Sequence, residues 1–333
     1  MAEVASRTST ENLRIQQELD KKAHQKDLIQ NIIPFSGLVL LIIVFGIASG
    51  GRTLTLSNIG NLVDQCFTMA IVAAGAAFVY AHGDKDFSVG AASGVAQLVG
   101  ALLILNFDLP TPIVVIAIIC VNVLCSLTVA GVSKGLGVPV FVATICVRSI
   151  CKGILGTVCQ NEDIVLTYAN YGFFNNTLVK AAALLVILVV TVYVFNFTEI
   201  GRFQKAIGGN ANTVQQAGIR VRREVVISYI IMGVCVGIAS TFMLFRDCTV
   251  NASSGSGIEF NVMIALALGG FPMAGGEKSK IRAAIIGVVT LTVLANGLTI
   301  IGMDPNVVNG VKGLLFIAIV GLSYDKTSGK YVD

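Results

Sequence analysis

Residues 181–195 read AAALLVILVVTVYVF, fifteen positions with no charge and no polar face. A helix that is apolar all round has no side to offer to water, so it lies in a large core or in a bilayer. Composition decides between the two. Charged residues make up 13% of the 333 positions, against about 25% in ordinary soluble domains. That leaves too little polar surface to cover a water-soluble globule. Glycine is frequent, with 35 residues, and tryptophan is absent; membrane helices use glycine to bring backbones together. The expected class is an all-α polytopic integral membrane protein.

A spanning helix needs about 20 mainly apolar residues. Segments of this kind lie at about 33–50, 65–82, 88–106, 111–132, 139–158, 177–197, 225–245, 259–275, 282–301 and 307–323. The expectation is about ten transmembrane helices with some broken or re-entrant segments. Polar residues or glycine interrupt the second, third and fifth, and residues 52–61 read as interfacial. With the N-terminus in the cytoplasm, most of the 23 basic residues fall in inner loops. The outer loops carry Asp108, Glu162, Asp163, Asp247 and Asp304. This is the asymmetry of the positive-inside rule. The chain then divides into a cytoplasmic tail 1–32, a transmembrane domain 33–325 and a cytoplasmic tail 326–333. Residues 10–31 read either as a helix on the inner membrane surface or as a solvated tail. The first thirty residues lack the basic-then-apolar layout of a signal peptide.

Several chemistries lack material. Basic residues are spread over short loops, which argues against nucleic-acid binding. Eight cysteines show no metal-ligand spacing, and there are two histidines. No residue reads as a catalytic base or nucleophile with a partner, so no enzymatic activity is expected. Intramembrane carboxylates for ion coupling are scarce; Glu259 sits near the end of its segment. Arg148 and Lys152, one turn apart, read either as snorkelling side chains near an interface or as facing an interior cavity, the former being favoured. Gly90 and Gly94 form GxxxG, read as helix packing.

One long polar stretch interrupts the apolar chain, AIGGNANTVQQAGIRVRRE at 206–224. Asn210 suits an N-cap, its side chain accepting a backbone N–H. Residues 211–217 follow as a short helix, and Gly218 suits the left-handed position that ends one. No GxxxxGK[ST] motif occurs, which argues against a phosphate cradle. A capped helix facing water between two spans reads as a docking element; an inert loop that fixes topology is the alternative.

The same stretch, AIGGNANTVQQAGI, resembles the cytoplasmic loop of permease subunits in ribose-type (monosaccharide) ABC importers. DFSVG at 86–90, GSGIEFNVMIALALGGFPMAGG at 255–276 and LANGLTIIGMDPNVVNGVKGLL at 294–315 resemble further motifs of that family, in order. Lys85, the Phe-Pro-Met at 271–273 and EKSKIR at 277–282 depart from its pattern. The resemblance implies a permease of a bacterial inner membrane with both termini cytoplasmic, translocating a monosaccharide or similar neutral hydroxylated solute. It implies no cofactor in this chain, ATP-Mg being used by a separate cytoplasmic ATPase. Further implied partners are an extracytoplasmic sugar-binding protein and a second permease subunit, identical or paralogous. The loop 198–223 would couple to the ATPase through Gly208, Gly209, Asn210, Asn212 and Gly218, with Arg220 nearby.

Expected pathway residues are Asp86, Ser88, Asn122, Asn261 and Asn296. Asp86 reads equally as a helix-start residue and as part of a gate. The asparagines suit weak contacts to hydroxyls, and each also suits an interhelical hydrogen bond. Alternatives are a nucleoside or branched-chain amino-acid ABC permease and, on a different principle, an ion-coupled secondary transporter.

Overall fold

The computed structural model describes residues 34–323 apart from 161 and 168–171. The two tails expected from the sequence, 1–32 and 326–333, lie outside these residues. Helix α1 covers Pro34–Ala48. A 3-10 turn at Arg52–Leu54 leads into α2 (Leu56–Ala81), α3 (Val89–Phe107), α4 (Thr111–Leu136) and α5 (Val140–Cys159). After strand β1 (Ile164–Val165) come α6 (Gly172–Asn175), α7 (Thr177–Phe197), α8 (Glu199–Gln216) and α9 (Val221–Asp247). Strand β2 (Thr249–Val250) precedes α10 (Ile258–Leu268), α11 (Ile281–Ile300) and α12 (Pro305–Ser323).

Seven of the described helices are long and apolar enough to cross a membrane: α2, α3, α4, α5, α7, α9 and α11. This supports a multi-pass membrane protein and does not by itself confirm the expected count of about ten. Among the described residues, three further apolar stretches have 10–17 residues: α1, Pro305–Ile319 of α12, and α10 with 11. The second, third and fifth spans are unbroken, contrary to expectation. The second starts at Leu56, which reduces the expected interfacial stretch to the 3-10 turn. The interruption falls in the eighth segment instead. Gly270 and Gly275 inside it, and Gly255, Gly257 and Gly276 at its edges, all have positive φ, a conformation that ends helices and that few other residues adopt.

The chain runs back and forth between two ends of a bundle, one carrying α8 and the other called here the far end. Of the seven long helices, α2, α3 and α9 are the most enclosed and α7 the least. Gly233 and Gly237 let α9 press on α4: a Cβ there would lie 2.8 Å from Val123 Cα and 2.6 Å from Ile119 Cα. Small residues four apart permit such backbone approach inside a membrane. At the far end, β1 and β2 pair antiparallel, Ile164 with Val250 and Val165 with Thr249. Lys180 on α7 reaches Asp64 on α2 at 2.9 Å there. All eight cysteines are free thiols.

Candidate functional site

The break before α10 builds an unusual site inside the bundle. Residues 251–257 leave the far end and pack against the first turns of α3. A Cβ on Gly90 would lie 2.2 Å from the Gly255 carbonyl oxygen, and one on Gly94 2.4 Å from that of Ser254. The GxxxG pair therefore admits a turn rather than a helix. Helix α10 then runs antiparallel to α11, so closely that a Cβ on Gly287 would meet the Ala265 carbonyl at 1.7 Å. Glu259 lies six residues before Ala265, about 9 Å further along at ~1.5 Å per residue. That puts Glu259 level with the middle of α11.

Glu259 is 2% exposed and occupies the first turn of α10, where the helix dipole favours negative charge. Arg148 Nη2 on α5 lies 2.8 Å from Oε1, an ion pair that lacks the alignment of a hydrogen bond. Oε2 has no hydrogen-bond partner and faces Gly90. One turn along α5, Lys152 Nζ donates to the Ala252 carbonyl at 3.4 Å and to the Ser256 hydroxyl. The preferred snorkelling reading of Arg148 and Lys152 gives way: both reach across to the broken segment. Three phenylalanines adjoin them. Phe87 meets Phe141 edge-on at 5.5 Å and Phe260 at 5.9 Å, and the Arg148 guanidinium lies 5.6 Å from the Phe260 ring centre.

The expected pathway residues do not form one cluster. Asp86 Oδ1 accepts from the Ser88 N–H and hydroxyl, both at 2.6 Å. This holds the loop that starts α3 and leaves Asp86 Oδ2 without a partner. Asn122 is 1% exposed and donates to the Ile118 carbonyl at 3.1 Å and to Ser240 on α9 at 3.3 Å, which makes it a tie between α4 and α9. Asn296 exchanges two hydrogen bonds with Asn58, at 2.9 and 3.0 Å, tying α11 to α2. Asn261 accepts from Lys312 on α12 at 3.4 Å. Asn296 and Lys312 also line a cavity of about 220 Å³ with Gln65, Thr299 and Asn309. Sequence reasoning passed over Glu259 as a segment end and missed Phe87, Phe141 and Phe260. The available signal was Arg148 and Lys152, one turn apart inside an apolar segment, which call for a counter-charge such as Glu259.

At the α8 end the expected capped helix is present. Helix α8 breaks at Asn210, which is extended (φ −162°, ψ 102°). Its Oδ1 accepts from the N–H groups of Asn212 at 3.0 Å and Thr213 at 3.2 Å. Gly218 has φ +84°. Its N–H donates to the Gln215 carbonyl at 3.0 Å and the Ile219 N–H to that of Val214 at 3.3 Å. This pair of bonds is a Schellman ending. Except for Val214, residues 211–218 are exposed, as is Arg220.

The two glycines before the cap differ. Gly209 has open space around its Cβ position, whereas a Cβ on Gly208 would lie 2.1 Å from the Ala81 carbonyl and 2.5 Å from the Gly276 nitrogen. Gly276 N–H itself donates to the Ala81 carbonyl at 2.8 Å. Helix α8 is thus seated on the end of α2 and on the loop between α10 and α11. Gln204, fully buried, adds a 2.7 Å bond to the Glu224 carbonyl of α9. Beside this seat, Asp84 lies 3.1 Å from His82 and 3.4 Å from Lys134. Burial opposes ionisation of Asp84, but the His82 hydrogen bond and the nearby charges outweigh it and hold the carboxyl below its usual value. Among the described residues no cluster of three His, Cys, Asp or Glu could hold a metal ion.

The comparisons agree with this architecture. The ribose import permease protein RbsC of Bacillus subtilis is 28% identical over 327 residues, covering 96% of this chain and 99% of that protein. The galactose/methyl galactoside import permease protein MglC of Haemophilus influenzae is 28% identical over 335 residues, covering 92% and 98%. The fructose import permease protein FrcC of Rhizobium meliloti is 25% identical over 323 residues, covering 90% and 89%. No solved structure gives a significant match. The model of one family matches residues 58–320, four-fifths of the chain. The chain belongs to that family, described as branched-chain amino acid transport system / permease component.

Proposed function

We propose that this protein is the membrane-spanning permease subunit of an ABC importer that carries a monosaccharide or a similar neutral, hydroxylated solute. It performs no catalysis itself; its family is one of transport permeases. The observation that carries the reading is the seat of α8. A capped, outward-facing helix rests through Gly208 on Ala81 and Gly276. Ala81 ends α2, and Gly276 follows α10, the broken helix that holds Glu259. Movement of α8 by an outside protein therefore acts on two elements that reach into the bundle.

In this reading residues 198–223 form the coupling segment, with Gly208, Gly209, Asn210, Asn212, Gly218 and Arg220 at or near the contact with a cytoplasmic ATPase. That ATPase uses ATP-Mg. A sugar-binding protein delivers substrate at the far end, and a second permease subunit, identical or paralogous, completes the pathway. The α8 end faces the cytoplasm of a bacterial cell with an inner membrane, as do both tails. The positive-inside asymmetry supports this orientation. Three relatives named for ribose, fructose and galactose import support the sugar assignment. The test is ATP-driven uptake in proteoliposomes holding the permease, its ATPase and its binding protein. Uptake should require all three components. Uptake driven by an ion gradient without ATP would refute the reading.

A further inference from the structure

The surface beside the Glu259–Arg148 pair is chemically unlike the rest of the bundle. On α5, Phe141, Arg148 and Lys152 follow at i, i+7 and i+11, one stripe of a helix. The stripe borders the face that α5 buries through Ala143, Val147, Cys151 and Leu155. Phe141 is 57% exposed and Phe260, at the start of α10, 43%. The Arg148 side chain is 33% exposed although the side chain of its partner Glu259 is buried. Phe260 and Arg148 lie near the middle of the bundle, as the pairing of α10 with α11 requires, and Phe141, in the first turn of α5, lies about 10 Å from Arg148 along the helix.

A cation at the centre of a bilayer costs about 2.5–3.5 kcal/mol on insertion scales, so such residues face protein or a water-filled cavity. Two cations project from one stripe, and of these Arg148 is ion-paired with the carboxylate of Glu259 while Lys152 donates to Ala252 and Ser256, which leaves an excess of donors. Exposed aromatic rings next to charged donors offer what a sugar presents: a flat apolar C–H face and a rim of hydroxyls. Ligand sites generally combine aromatic walls with a few placed polar groups.

Resting on the importer reading above, we propose that Phe141 and Phe260, with Arg148 and Lys152, form the waist where a monosaccharide is held in transit. The rings take the apolar face of the sugar, and the guanidinium and ammonium groups donate to its hydroxyls. Glu259 is a positioning residue: its buried carboxylate fixes Arg148 beside Phe260. The break in the helix before α10 is what brings that carboxylate to this depth.

The experiment uses the complete importer in proteoliposomes, with radiolabelled D-ribose, D-fructose and D-galactose as probes. Phe141→Leu and Phe260→Leu keep an apolar side chain and remove a ring. Each should lower ATP-driven uptake by about threefold to tenfold, the scale of one lost aromatic contact, and change the ratio among the three sugars. Association with the ATPase should stay unchanged, and the melting temperature should fall by no more than the loss of one ring contact with Phe87 allows. Lys152→Met should act similarly. Separately, Phe260→Cys in a background without native cysteines should react with a small hydrophilic thiol reagent, and turnover with sugar should slow that reaction. If wild type carries sugars but both leucine variants keep its rates and ratios, or Phe260→Cys stays unreactive, the waist is wrong and the importer reading stands. If wild type carries none of the three, the importer reading fails and the site with it.

Discussion

Replacing Gly208 by alanine should separate ATP hydrolysis from transport. Gly208 lies in the helical first half of α8, so the alanine gains about 1 kcal/mol of helix propensity. Against this, the new Cβ would stand 2.1 Å from the Ala81 carbonyl oxygen. Ordinary carbon–oxygen contacts need about 3.3 Å, so the seat must open by about 1.2 Å. That displacement strains the 2.8 Å bond from Gly276 N–H to the same carbonyl, worth about 1 kcal/mol. Overpacking at a tight contact costs about 1–3 kcal/mol more. The balance is about 1–3 kcal/mol against the seated position, a factor of about 5 to 150 in its population. Uptake in proteoliposomes should fall by a similar factor. ATPase should still co-purify, because residues 211–218 are untouched, and its hydrolysis should lose its dependence on the binding protein. Gly131→Ala, on α4 with nothing within 4 Å of its Cβ, is the control for a glycine-to-alanine change away from the seat and should transport normally. Full uptake by a well-assembled Gly208→Ala complex would refute the seat as the coupling contact.

Asn210→Ala removes two capping bonds and about 1 kcal/mol; hydrogen exchange at the Asn212 and Thr213 amides should rise, with the rest of the chain unchanged. Arg148→Met leaves Glu259 buried without its counter-charge, a loss of about 3–5 kcal/mol for a buried pair; the third-exposed Arg148 places it at the lower end of this range, and Arg148→Met with Glu259→Gln should recover most of the melting temperature. Asp84 contributes stability through its lowered pKa, present at neutral pH and lost as pH falls through that value, below the usual carboxylate pKa of about 3.9. The melting difference between wild type and Asp84→Asn should therefore be full at pH 7 and shrink in strong acid; a constant difference would contradict the assigned contacts.

The helices were legible because continuous apolar runs leave no other solution, and Asn210 and Gly218 announced their caps through chemistry that needs no tertiary partner. The break was misplaced because polar residues inside 65–82, 88–106 and 139–158 signal irregularity only when unsatisfied. Ser93 meets Ser240, and Arg148 meets Glu259. The glycines at 255, 257, 270, 275 and 276 were visible in the sequence, but their positive φ angles depend on the turns that they make. The site was less legible still. Three phenylalanines 54 and 119 residues apart along the chain (87, 141, 260) meet only through the packing of α3, α5 and α10. Likewise Gly208 and Gly209 look alike in sequence, and only Ala81 and Gly276 tell them apart.

The central claim, a sugar pathway driven by an ATPase, is tested most directly by competition for uptake in proteoliposomes holding the complete importer. D-Ribose, D-fructose or D-galactose should be taken up only with ATP inside the ATPase compartment and binding protein on the opposite face, and leucine, isoleucine and valine should not compete. Uptake of those amino acids with no uptake of any sugar would contradict the account.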